Sequence, residues 1–116
     1  MSRVPIRLPA KHGRIRAVRT TADGITFASK HEAKVYSDLK LLARAGEITE
    51  FIWDKKLLRF PIMINGIHVC YYEADFSFLD QQGKRVIVDA KGMKTEIYKL
   101  KKKLFEADSG MKITEM

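Results

Sequence analysis

The chain has 116 residues, enough for one hydrophobic core and too few for two, and its 46% hydrophobic content fits a globular domain. A single cysteine, Cys70, excludes an intrachain disulfide and a zinc site built from several thiolates. Lys and Arg number 22 against 14 Asp and Glu, a formal charge of +8, which suits a polyanionic partner and excludes nothing by itself.

Residues 1 to 22 carry Arg3, Arg7, Lys11, Arg14, Arg16 and Arg19 with no acid, and residues 1 to 26 hold Pro5 and Pro9 with little apolar periodicity. This reads as a basic, mobile or extended arm ahead of a domain spanning 23 to 116. No apolar run is long enough for a membrane span and the basic N-terminus lacks a signal-peptide segment, so a cytoplasmic protein without a membrane role is expected. Asp23-Gly24 is a turn signal, after which Ile25 and Phe27 tuck against the domain.

The first helix is expected from Lys30 to Ala45, with Ser29 as N-cap and Gly46 just past its end. Its core stripe is Val35, Tyr36, Leu39, Leu42 and Ala43. Glu32 has two readings. In the capping box Ser29-Lys30-His31-Glu32 its carboxylate reaches back to the N-cap amide. It also precedes Val35 by three and Tyr36 by four, which extends the buried stripe and aims it inward.

A strand is expected at Glu47 to Trp53, interrupted by Lys55-Lys56, with Leu57 to Ile64 as its continuation or a separate strand in which Pro61 marks an edge or bulge; after the Asn65-Gly66 hairpin turn the next is expected at Ile67 to Phe78. The turn Asp80-Gln81-Gln82-Gly83 then brings Arg85 to Lys91 back antiparallel. A second helix from Glu96 to Asp108, capped by Thr95 and ended by Gly110, presents Ile97, Leu100, Leu104 and Ala107 to the core and Lys99, Lys102 and Lys103 outward. Lys112 to Thr114 has room for a last strand. The crossover through that helix makes this strand parallel to one already in the sheet. The expected architecture is α/β, in the order helix, three strands, helix, strand, around a small mixed sheet.

Chemistry concentrates on Tyr72 to Phe76 and Val86 to Gly92. Residues i and i+2 of a strand share a face, so Asp89 stands beside Lys91 while Val88 and Ala90 turn away. Asp75 lies on the neighbouring strand. Two nearby carboxylates repel unless a proton or cation lies between them, and hard oxygen donors without a His or Cys cluster favour Mg2+ or Mn2+. An adjacent ammonium orients a water or stabilises developing negative charge. That is equipment for hydrolysing a phosphodiester. The plainer alternative makes Asp75 and Asp89 solvated strand ends and Lys91 a surface ion-pair partner, but Asp89 follows an apolar run that looks buried, where a charge needs a partner. Gly92 either terminates the strand or lets the backbone pass close to a ligand. The second basic cluster, Lys94, Lys99, Lys101, Lys102 and Lys103 against Glu96 alone, joins the arm in pointing to nucleic acid.

The ordered set Asp23-Gly24, Phe27, Ser29-Lys30, Glu32, Tyr72-x-Ala74-Asp75-Phe76, Asp89-x-Lys91-Gly92 and Thr95-x-x-Tyr98-x-x-Lys101 resembles the PD-(D/E)xK nuclease superfamily, the restriction-endonuclease-like fold with an α-β-β-β-α-β core. More narrowly it resembles a family of small phage and prophage proteins long catalogued without an assigned function. The resemblance covers roughly Asp23 to Ile113. It implies Mg2+-dependent cleavage of DNA, with Asp75 and Asp89 as metal-binding acids, Lys91 beside the attacking water, Glu32 as the first-helix glutamate that joins the site, and the Ala90 carbonyl completing the metal shell. It departs from the superfamily in having no proline before Asp75 and Asp where Glu is frequent at position 89. The expected DNA contacts are Arg14, Arg16, Arg19, Lys30, Lys94, Lys99, Lys102 and Lys103. A homodimer would be needed to cut both strands, and by analogy with other small dimeric members the substrate is a Holliday junction or other branched DNA, with nicking next. For a phage-encoded protein the compartment is the host cytoplasm. The alternative is a non-catalytic DNA-binding or recombination-accessory module.

Overall fold

The computed structural model of the protein describes residues 18–90 and 94–116. A short hairpin, β1 (Thr20–Ala22) and β2 (Ile25–Phe27), precedes helix α1 (Lys30–Arg44), strand β3 (Thr49–Ile52) and a 3-10 helix, Lys55–Leu58. The ribbon β4 (Arg59–Ile64) and β5 (Ile67–Glu73) follows, then β6 (Phe76–Leu79), β7 (Arg85–Asp89), helix α2 (Glu96–Ser109) and β8 (Ile113–Glu115). Four strands form the main sheet in the order β3-β6-β7-β8; β1-β2 and β4-β5 are separate two-stranded sheets. The first two pairings in the main sheet are antiparallel and β7-β8 is parallel, as the crossover through α2 requires. The result is a mixed α/β domain with one mixed sheet and two helices.

Local chemistry accounts for most boundaries. Ser29 Oγ accepts the Glu32 amide at 3.0 Å and Thr95 Oγ1 accepts the Tyr98 amide at 3.1 Å, each satisfying an orphan donor of a first turn. Helix α2 ends on Gly110 at φ 74°, a left-handed cap that a side chain would strain.

Strand alternation sorts the core into two clusters. Phe76, Phe78, Val88 and Ala90 pack with Phe27, Val35, Tyr36 and Leu39 on the α1 side, whereas Ala74, Ile87 and Ile113 pack with Leu58, Ile62, Tyr72, Tyr98 and Phe105 on the α2 side. Phe76 is fully buried, with the rings of Phe51, Phe27 and Tyr36 at centroid distances of 5.8, 6.2 and 6.3 Å.

Three expectations need correction. The stretch Ile67 to Phe78 is two strands in two sheets, because the chain crosses from the ribbon to the main sheet at Ala74 and Asp75: the Ala74 amide donates to Leu58 O at 2.9 Å and the Asp75 amide to Val88 O at 3.0 Å. Helix α2 is rotated about its axis relative to the expected stripe. Tyr98 and Phe105 face the core with Leu104 of the expected stripe packed against it, while Ile97, Leu100 and Ala107 are exposed, since the two rings bury more apolar area than the aliphatic residues beside them. On α1, Leu42 is likewise exposed. Beyond these, Ile25 and Phe27 form a hairpin with Thr20 to Ala22, so part of the segment read as an arm is sheet. Arg14, Arg16, Lys91 and Gly92 lie outside the described residues.

Phe76→Ala is expected to lower unfolding free energy by about 3–5 kcal/mol, as for other fully buried phenylalanines, measured by urea denaturation; a loss below about 1 kcal/mol would contradict the placement of this ring at the centre of the α1-side core.

Candidate active site

The first turn of α1 lies over the edge where β5 gives way to β6, and this brings two acids together. Glu32 is buried although charged; its backbone amide serves the Ser29 cap, and its carboxylate turns into the domain. There Lys55, the first residue of the 3-10 helix, donates from Nζ to Glu32 Oε2 at 2.8 Å and to Asp75 Oδ1 at 2.7 Å. Asp75 Oδ2 accepts the Ala90 amide at 2.8 Å, which ties the crossing point of the chain to the end of β7. One ammonium thus bridges two carboxylates, one from a helix and one from the link between two strands, and offsets one of their two charges. A cleft of about 420 Å³ holds all three, with Arg19, Thr26, Phe27 and Trp53 among its walls.

Asp89 is placed differently. Being on β7 one residue from Val88 and Ala90, it points to the α2 side of the sheet, where it is 1% exposed and accepts from the Tyr72 hydroxyl at 2.7 Å. It lines a second cavity with Tyr72, Glu73, Tyr98, Lys101 and Arg59. Glu32 and Asp75 therefore converge on a common cation, and Asp89 lies across the sheet edge from them. Among the described residues no three His, Cys, Asp or Glu side chains are gathered closely enough to hold a metal ion. The donors of the Glu32 and Asp75 pair are hard carboxylate oxygens already directed at a cation, and to that extent they fit Mg2+ or Mn2+.

The titration behaviour follows the partners. Burial disfavours charge on Lys55, but the hydrogen bonds and charges of Asp75 and Glu32 outweigh it and hold the ammonium above its ordinary value. Tyr72 is pushed well above a normal phenol, first by burial and then by its hydrogen bond to Asp89 and that acid's charge. Tyr98 moves the same way through burial and its bond to Glu115. Glu115 is lowered by that Tyr98 hydroxyl and by Lys94 and Lys102.

The expected DNA-contacting residues fall into two groups. Arg19 lines the acid cleft and Lys30 is exposed on the first turn of α1. Lys94, Lys99, Lys102 and Lys103 line a groove along α2 together with Glu96, Glu106 and Glu115. Lys94 and Lys102 pair with Glu115 at 3.2 and 3.4 Å, and Lys99 pairs with Glu96 at 3.2 Å, so this face is less freely positive than the lysine count suggests. Sequence reasoning missed Lys55 and Trp53, and named Tyr72 only as part of a motif, without its bond to Asp89. Lys55 stands in a dibasic pair read as a strand interruption, and nothing local marks it as the partner of acids 20 and 23 positions away.

The fold and the site together define a small mixed-sheet α/β domain in which Glu32 and the partly buried Asp75 share the Lys55 ammonium on the α1 side, with a lysine-rich helix on the other side of the sheet. The chain belongs to the DUF1064 family, described as proteins of unknown function, whose model matches residues 12–114. Comparisons with curated proteins and with solved structures returned no match. Among the described residues, no helix is long and apolar enough to cross a membrane.

Tyr72 keeps its proton in the folded state at pH values where an unfolded tyrosine, near 10.0, has lost it. A group whose folded value is raised stabilises fully below the unfolded value and loses that contribution as pH rises. Stability is therefore expected to fall above about pH 10, and Tyr72→Phe to fall less steeply there, while costing about 1.5–3 kcal/mol at neutral pH through removal of the bond to Asp89. Urea denaturation as a function of pH checks both, and parallel alkaline slopes would contradict the assignment.

Proposed function

We propose that the protein is a Mg2+-dependent endodeoxyribonuclease of the PD-(D/E)xK type, with the acid pair as its metal seat. The observation that carries this reading is the convergence of Glu32 and Asp75, from separate elements, on a single cation. It is supported by the buried Asp89 at the end of β7, by the Ala90 amide bonded to Asp75, by the parallel strand after α2, and by basic residues on both sides of the acids. The order helix, antiparallel strands, helix, parallel strand is compatible with a restriction-endonuclease-like core, to which β1-β2 and the β4-β5 ribbon are additions.

In this reading Glu32 and Asp75 would hold the ion, with the Ala90 carbonyl and Asp89 as further donors; Asp89, whose Oδ2 accepts from Tyr72 on the α2 side, would have to turn toward Asp75 to serve it. A bound Mg2+ supplies positive charge at the scissile phosphate and lowers the pKa of a water. Lys91 orients that water. Arg19 and Lys30, near the cleft, and Lys94, Lys99, Lys102 and Lys103 along α2 grip the phosphates on either side, positioning the strand without reading its bases. One site per chain cuts one strand, so cutting a duplex or a Holliday junction symmetrically takes a homodimer. Branched DNA is the preferred substrate within the class. A second reading is favoured by one feature: the acid pair is already bridged by an internal cation, Lys55, as expected of a non-catalytic DNA-binding module.

Incubation of the full chain with linear, single-stranded, nicked and four-way DNA separates the two. The nuclease reading expects cutting with Mg2+ and none with EDTA, a loss of at least about a hundredfold in Asp75→Ala and Asp89→Ala, and DNA affinity retained in both variants. Binding without cutting on every substrate would leave the accessory module. Lys99→Ala with Lys103→Ala is expected to weaken binding to all sequences alike and to flatten its salt dependence by roughly 0.9 in logarithmic slope for each phosphate no longer neutralised, measured by fluorescence anisotropy at several salt concentrations.

A further inference from the structure

Lys55 differs from the two acids it joins. The Glu32 side chain is 9% exposed and that of Asp75 16%, whereas that of Lys55 is 50% exposed. Its ammonium reaches in past the Phe76 ring, 5.7 Å from the ring centre, while its backbone opens a 3-10 helix capped by Asp54 at the surface. The acids are fixed by α1 and by the Ala90 amide; the lysine has a long stem and a way out to solvent.

Remove Lys55 from its place and two carboxylates are left sharing a poorly solvated cleft, which raises the energy of both charged forms. Put a divalent ion between the same two carboxylates and it competes with the ammonium, because Glu32 Oε2 and Asp75 Oδ1 now serve Lys55 and two cations a few ångströms apart repel. A doubly charged ion attracts the pair more strongly than an ammonium does but gives up hydration to reach it, so the exchange depends on the ion's concentration. The cleft that holds the three side chains is also lined by Arg19 and Trp53.

We propose that Lys55 is the resident counter-ion of the acid pair and that it competes with a divalent ion for Glu32 and Asp75. The identity of the ion rests on the nuclease reading above. The competition itself concerns only this chain's own side chains.

The test is calorimetric titration of Mn2+ into the full chain without DNA, comparing the native protein with Lys55→Gln, Lys55→Met and Lys55→Arg. Gln keeps an N–H donor for the acids and removes the charge, so it carries the comparison if the Met variant does not fold. Lys55→Gln and Lys55→Met are expected to bind Mn2+ at least about tenfold more tightly than the native chain, the lower end of what one neighbouring charge does to the proton affinity of a carboxylate; Lys55→Arg stays near the native value. In EDTA the two neutral variants melt below the native protein, and Mn2+ restores them. Equal or weaker Mn2+ affinity in both neutral variants, or no binding by any form, overturns the role given to Lys55. A native chain that cuts DNA while Lys55→Gln gains no affinity keeps the nuclease and removes the counter-ion. Tighter Mn2+ binding by Lys55→Gln in a chain that cuts no DNA does the reverse.

Discussion

A glutamate inside a small domain requires a positive charge within reach, and much of this structure can be traced to how Glu32 obtains one. The capping serine orders the first turn of α1 and spends only the backbone amide of residue 32, which leaves the carboxylate to point inward with Val35 and Tyr36. The cation comes from Lys55, after β3, and the same nitrogen holds Asp75. Removing one member of such a group costs more than the pairwise attraction, because the remaining charges are left uncompensated in a weakly polar setting. The helix, the 3-10 segment and the sheet edge are therefore coupled through one nitrogen atom.

The position of Asp75 is equally a consequence of topology. Backbone pairing changes hands over two residues: Ala74 still bonds to Leu58 at the base of the ribbon, and Asp75 already bonds to Val88 of the main sheet. A residue at such a crossing is not confined to one face of a strand, so Asp75 can turn toward α1 while Asp89, held within the regular alternation of β7, faces Tyr72 and α2. The two aspartates are near neighbours through Ala90 and yet open on different cavities. This division is what a metal-binding role for Asp89 has to overcome; the alternation of β7 sets it, and the Tyr72 hydroxyl bonds Asp89 on the far side.

Features encoded over short distances were legible in the sequence. Ser29, Thr95 and Gly110 mark helix ends because capping chemistry is local; Asn65-Gly66 and the Asp80 turn mark hairpins because few residue types tolerate those dihedrals. The inward aim of Glu32 could be weighed from its spacing to Val35 and Tyr36, though its rival capping role used the same four residues. Illegible were the features decided by distant partners. Ile67 to Phe78 is rich in strand formers throughout, and nothing in it announces that its two halves join different sheets. The phase of α2 was ambiguous because two apolar stripes compete on it, and Tyr98 prevails with its hydroxyl bonded to Glu115 of β8 at 2.7 Å. Lys55 offered no signal, since an ion pair across 20 residues leaves no periodicity.

The account stands on the claim that the seat between Glu32 and Asp75 belongs to a cation that can be exchanged. Anomalous diffraction from crystals of the protein grown with Mn2+ addresses it directly. The expected map has a manganese peak bonded to oxygens of Glu32 and Asp75, with the Lys55 ammonium withdrawn from both. Manganese absent from that position, with Lys55 still bridging the two carboxylates, would contradict it.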